Sequence, residues 1–199
     1  MEYTIFRDVL IILVSIAAVL SALVGGLLFF LLRSALMKDI TSEVNKRLDD
    51  ECRKLRGQTD IQAGVTYWTQ KMYDHAIDFT KRALEDAGDV LDDDRIIFGQ
   101  SNLAYYYAEK HRQQPSWDLR EEAIELAKIG YEKYSSTVSK YKKPDWMDNY
   151  AFVRTSFIKD DEEKEEVTRL INELLSRGDL KTVHNYLKEY KQGIQSLEF

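Results

Sequence analysis

Residues 63–84 read AGVTYWTQKMYDHAIDFTKRAL, and the fold is decided there. Two helices that run antiparallel at close range need a small residue where they cross, because side-chain bulk sets the distance between their axes. Gly64 and Ala76, 12 residues apart, supply that crossing, with Tyr67 and Tyr73 to fill the space beside it. Helix is the expectation for the whole polar part of the chain. Pro115 and Pro144 are its only prolines, and period-two runs of β-branched residues are missing.

A second copy of the arrangement begins at Asn102-Leu103-Ala104, with Tyr107 three places on, and continues in Glu122-Ala123-Ile124-Glu125-Leu126-Ala127. Together the two stretches resemble the tetratricopeptide repeat, a helix-turn-helix unit with L-G-x2-Y in its first helix and A-x3-F in its second. In the first copy Thr80 stands where the pattern has an aromatic, and Phe79 comes one place early. In the second copy Ala104 and Ala123 are 19 residues apart, and the additional residues fit the loop 113–119. There Pro115 ends one helix and Ser116 or Asp118 caps the next, with Trp117 folding back over the core. A third copy is present in outline. Leu170, Ile171 and Leu174 lead through Arg177-Gly178-Asp179 to Leu180, Val183 and Leu187, without the small residues. Before it, residues 144–158 form a helix with Trp146, Tyr150, Val153 and Phe157 on its apolar side; it could open a third unit closed by a capping helix at 180–191, or stand alone before a terminal hairpin.

The resemblance covers 57–134 well. It implies an all-α protein with a solenoid of stacked antiparallel helix pairs, whose first helices build an inner face that binds proteins or peptides. The positions carried to that groove are Ile61, Val65 and Trp68 from the first unit and Phe98, Asn102, Tyr105 and Glu109 from the second, joined by Phe152. Some members of the family hold a C-terminal carboxylate with Lys, Asn and Arg. Here Asn102 and Arg154 would serve, but Ile61 and Val65 bring no charge, so an aromatic groove for an apolar or amphipathic peptide is the better expectation.

N-terminal to the repeats the chain changes character. Residues 9–32, VLIILVSIAAVLSALVGGLLFFLL, carry no charge, and a bilayer core about 30 Å thick needs roughly 20 helical residues. The run exceeds the apolar region of a cleaved signal peptide and has no A-x-A site after it, so a transmembrane anchor over 1–33 is expected. Arg7 alone precedes the run, whereas Arg33, Lys38, Lys46, Arg47, Arg53, Lys54 and Arg56 follow it, which favours a cytoplasmic repeat domain. Within the run Ala18, Ala22 and Gly26 recur every four residues, a small-residue face through which two membrane helices can associate into a homo-oligomer. A juxtamembrane helix over 34–56 continues without Gly or Pro. Its apolar stripe of Leu36, Ile40, Val44, Leu48, Cys52 and Leu55 could pack on the first repeat or meet a second copy as a stalk with right-handed drift. The repeat domain then fills 57–199.

Nothing in the sequence suggests an enzyme. The three histidines, His75, His111 and His184, fall on separate elements, and the single cysteine, Cys52, has no partner thiol, so neither a metal nor another cofactor is expected. Asp92-Asp93-Asp94 suits the start of a helix better than a calcium loop. Lys plus Arg number 28 against 34 for Asp plus Glu, a net charge of −6 that argues against a nucleic-acid partner. The expected function is that of a single-pass membrane adaptor or scaffold binding protein or peptide partners. The alternative is a structural subunit of a membrane-bound oligomer, or an accessory or regulatory subunit of a membrane complex.

Overall fold

The computed structural model describes residues 2–135 and 144–197, with side chains over 13–133 and 144–197. Arg7, the start of the apolar run at 9–12 and Tyr134 are thus side chains outside the described residues. All regular structure among the described residues is helical: α1 (Glu2–Thr69), α2 (Tyr73–Ala87), α3 (Asp93–Gln113), α4 (Arg120–Ser135), α5 (Pro144–Ser156), α6 (Asp161–Ser176), a short 3-10 helix (Gly178–Val183) and α7 (His184–Gln195). The chain divides into two compact units, Met1–Asp50 and Glu51–Phe199, with the division falling inside the segment expected as juxtamembrane.

The first unit consists of α1 up to Asp50. Its large apolar side chains face outward, with Phe30 68% and Leu32 70% exposed, and the helix is long and apolar enough to cross a membrane by length and composition. Leu36, Ile40, Val44 and Leu48 along the later stripe are exposed as well, as are Cys52 and Leu55 at the start of the second unit.

The second unit begins with a seam between the last turns of α1 and all of α2. Arg53 donates to Asp89 at one end, and Asp60 accepts both parallel bonds of a forked pair with Arg82, at 2.9 and 3.0 Å. Between and beyond these pairs the backbones come close. A Cβ on Gly57 would lie 2.6 Å from that of Ala87, and one on Gly64 would lie 2.3 Å from Thr80 Oγ1 and 3.1 Å from the Ala76 carbonyl. This explains the departure at Thr80: directly over a glycine, only a small side chain fits, and the aromatic moves to Phe79, which packs against Tyr67 at 5.1 Å. The turn is closed by Lys71 at φ 59°. The Lys71 amide bonds the Trp68 carbonyl and the Met72 amide bonds the Tyr67 carbonyl, the paired bonds of a left-handed helix stop that usually takes glycine.

The later helices are stopped and started by recognisable residues. Asp92 caps α3 through the Arg95 amide, Pro144 opens α5, and Asp160 caps α6 through the Glu163 amide. The acidic segment after Asp160 forms the first turn of α6, where its charge complements the helix dipole. Trp117 rests on His111 at 5.0 Å and remains half exposed. Helix α3 packs on α2, α4 and α5, and α5 in turn packs on α4, α6 and α7. The α3–α4 crossing is built from Ala104, Ala123 and Ala127, all fully buried. A second core gathers Trp146, Met147, Ile171, Leu174, Leu180 and Leu187 between α5, α6 and α7. Fully burying a Leu or Ile contributes about 1.5–3 kcal/mol, so this cluster fixes α7 onto α5. The helix expected over 144–158 runs over Pro144–Ser156 and contributes to two cores, through Tyr150, Phe152 and Val153 to the one shared with α3 and α4, and through Trp146, Met147 and Ala151 to the one shared with α6 and the closing helix α7.

Candidate functional site

In the second unit, the odd-numbered helices present one face each to a common hollow of about 470 Å³, within the range of about 300–1,000 Å³ typical of ligand pockets. The contributing residues follow helical spacing. Val65 and Trp68 are three apart on α1, Phe98, Asn102 and Tyr105 are four and three apart on α3, Asp145 and Asp148 are three apart on α5, and Tyr186 and Tyr190 are four apart on α7. An unbroken aromatic series joins them. Trp68 meets Tyr105 edge-on at 5.7 Å, Tyr105 stacks on Phe152 at 4.4 Å, and Phe152 meets Tyr190 at 5.6 Å.

Of the positions drawn from the sequence, Val65, Trp68, Phe98, Asn102 and Tyr105 line this hollow. Phe152 lies beneath it, 3% exposed, as the surface on which Tyr105 stacks. Ile61 is buried instead with Ala83, Ala87 and Leu91, between helices. Glu109 sits beside the tyrosine hydroxyls of Tyr73 and Tyr105, whose pKa values are raised first by burial and then by its charge. Ala18, Ala22 and Gly26 lie on the exposed helix of the first unit, and nothing comes within 4 Å of a Cβ placed on Gly26. The sequence reasoning did not reach Asp145, Asp148, Tyr186 and Tyr190. Their spacings of three and four were available as signals, but α5 and α7 lay outside the well-matched repeats.

Two buried polar atoms in the wall have no hydrogen-bond partner, Nδ2 of Asn102 and Oδ1 of Asp148. Burial pushes the Asp148 carboxyl up to about 6, the Tyr190 hydroxyl donating to it acts in the opposite direction, and Asp145 and Glu189 reinforce the rise. Burial likewise raises Tyr106, and raises Tyr190 together with the neighbouring Asp148 charge. Arg154 points away from this chemistry into a pair with Glu166 at 3.0 Å, with its other contact on the Tyr150 hydroxyl. The wall thus offers aromatic faces, the unpartnered amide donor of Asn102 beside an Asn149 amide that already donates to Ser101, and carboxylate acceptors, and its lining includes no Lys or Arg.

The histidines are each engaged in local contacts. His75 lies 5.2 Å from Tyr67, His111 Nδ1 is 3.1 Å from the donating Ser116 amide, and His184 Nε2 is 3.2 Å from the Arg177 carbonyl. Among the described residues no group of three His, Cys, Asp or Glu is placed to hold a metal. Comparison with protein-family models, with curated proteins and with solved structures finds no match to this chain.

Proposed function

We propose that this chain is a single-pass, membrane-anchored adaptor whose tetratricopeptide-like domain holds a protein or peptide partner in the hollow between its odd-numbered helices, on the cytoplasmic side, and performs no chemistry itself. The aromatic series from Trp68 to Tyr190 carries the reading. It spans α1, α3, α5 and α7, the helices that would be the first members of successive pairs and the closing helix of a short repeat array. The pairing of α3 with α4 and of α5 with α6, and the small-residue crossings at Gly64 and Ala104, support the repeat assignment. The uncharged, outward-facing stretch 13–32 of α1 supports the anchor.

A photo-crosslinking amino acid at Tyr186, on the exposed rim, tests the adaptor in membranes, with Glu125 on α4 as control. Adducts with a distinct polypeptide from 186 and not from 125 support the groove. Equal labelling from both positions, or none from 186, rejects it.

A structural subunit of a membrane-bound oligomer is the second reading, favoured by the exposed stripe of Leu36, Ile40, Val44 and Leu48 next to the Ala18, Ala22 and Gly26 face. Cross-linking in membranes with Ala22→Leu and Gly26→Leu addresses it; a monomer in the unsubstituted protein rules this route out.

A further inference from the structure

We propose that the hollow selects a basic side chain of the partner peptide, placing its cation against Asp148 and the tyrosine faces while Asn102 takes a backbone carbonyl of the same segment. The inference rests on the groove reading above and adds the chemistry of the ligand.

Three features of the wall point the same way. Its charged lining residues are Asp145 and Asp148, both acidic. Its aromatic surface includes Trp68, Tyr105 and Tyr190, ring systems whose faces attract cations, more strongly where water is excluded. Finally, the acceptor Asp148 Oδ1 and the donor Asn102 Nδ2 are left without partners, and a buried polar atom in that state destabilises the fold until a partner reaches it. Each atom is closed off from solvent in the free chain, so the two side chains turn toward the hollow on binding, and a segment that supplies both a guanidinium or ammonium group and a carbonyl then relieves both. An anionic side chain would meet the two aspartates and gain only the amide.

The surrounding charges agree. Facing Asp148 are Asp145 from its own helix, Tyr190 and Glu189 from α7, and Tyr105 from α3. Arg112 lies 5.4 Å from the Phe152 ring and lines the adjoining hollow with Glu189; its field reaches Tyr105. On binding, the cation favours the ionised carboxylate, so any proton held by Asp148 leaves to solvent and affinity falls as the pH drops below about 6.

The test uses the full chain in phosphatidylcholine nanodiscs and fluorescein-labelled heptapeptide pools with Arg, citrulline or Glu fixed at the centre and flanks drawn from Ala, Leu, Gly and Ser, read by anisotropy. The Arg pool is expected to bind at least tenfold tighter than the citrulline pool and to weaken at least threefold from pH 7.5 to 5.5. In Asp148→Asn the Arg preference and its pH dependence should both shrink below threefold. Tyr186→Ala, on the exposed rim, and Asp145→Asn, also exposed, should each weaken the Arg pool about threefold without threatening the fold. Pools that bind equally, and lose binding in Trp68→Ala, overturn the basic-side-chain inference while leaving the groove intact. Binding of the Glu pool above the Arg pool overturns it too, as does retention of the full Arg preference in both aspartate variants. Equal binding that Trp68→Ala leaves untouched defeats the groove and this inference together. Absence of binding by every pool overturns the peptide ligand.

Discussion

Asp148→Asn gives the sharpest quantitative test of the site. In the folded protein burial moves this carboxyl from its ordinary 3.8 to about 6. A raised carboxyl pKa means that between those values the folded state holds the proton more tightly than the unfolded chain. Stability is therefore greatest below about pH 4, falls as the pH rises toward 6, and stays at the lower level above it. At 1.36 kcal/mol per pH unit the full loss is about 3 kcal/mol, an upper figure because solvent reaches part of the side chain. Asparagine cannot ionise, and it retains an oxygen to accept from Tyr190. Its amide nitrogen replaces the partnerless Oδ1 at a cost that does not vary with pH. The stability difference between variant and parent should thus shift by about 2–3 kcal/mol in favour of the variant between pH 4 and pH 7.5. For a unit of this size that corresponds to roughly 4–12 °C in melting temperature. All three tryptophans, Trp68, Trp117 and Trp146, lie in the second unit, so their fluorescence during unfolding of the detergent-solubilised chain reports on that unit alone. Effects from other carboxylates are common to both proteins and cancel in the difference. Parallel stability curves across this range would show that Asp148 titrates as an ordinary surface carboxylate and would remove the electrostatic basis of the site.

Gly64→Ala should destabilise the second unit by about 1–3 kcal/mol, because its Cβ meets Thr80 Oγ1 at 2.3 Å, and adding Thr80→Ala should recover part of the loss in the same melts. Lys71→Gly should gain about 0.5–1 kcal/mol by relieving a side chain held at φ 59°; an unchanged or lower melting temperature would argue against the left-handed helix stop. Arg120 bonds Glu163 across α4 and α6 with side chains only 13% and 15% exposed, and Glu163 keeps the Lys159 amide and ammonium as partners, so Arg120→Ala should cost about 1.5–3 kcal/mol for the lost charged hydrogen bond, read by denaturant unfolding. Thr80→Val should be neutral or stabilising by about 1 kcal/mol, since the Thr80 hydroxyl is buried without a partner.

The local order of the chain carried most of what could be read in advance. The all-helical fold followed from residue type and the scarcity of proline, and the closeness of α1 to α2 from Gly64 and Ala76. The groove was only half legible. Val65, Trp68, Phe98, Asn102 and Tyr105 lie on helices with recognisable repeat signatures, whereas the opposing wall of Asp145, Asp148, Tyr186 and Tyr190 comes from α5 and α7. Which face of those helices turns inward is set by long-range packing of Trp146, Met147 and Leu187 against the second core, a matter of tertiary structure that no local spacing encodes. Ile61 has the opposite history. It occupies a groove position in the repeat pattern, but the close approach of α1 to α2 and the small Gly99 on α3, 3.4 Å from the isoleucine when given a Cβ, draw it into the interior.

The aromatic series sets the order in which the second unit can assemble. Trp68 and Tyr190 stand at opposite ends of the helical unit's sequence, so the hollow is among its most non-local features, whereas the α1–α2 hairpin needs only neighbouring residues. Contacts of long sequence separation form late, after the entropy of closing the intervening chain has been overcome. During synthesis the early hairpins can assemble while the hollow does not yet exist. The complete hollow therefore waits on the docking of α7, and a chain that has not finished folding lacks the wall that Tyr186 and Tyr190 supply.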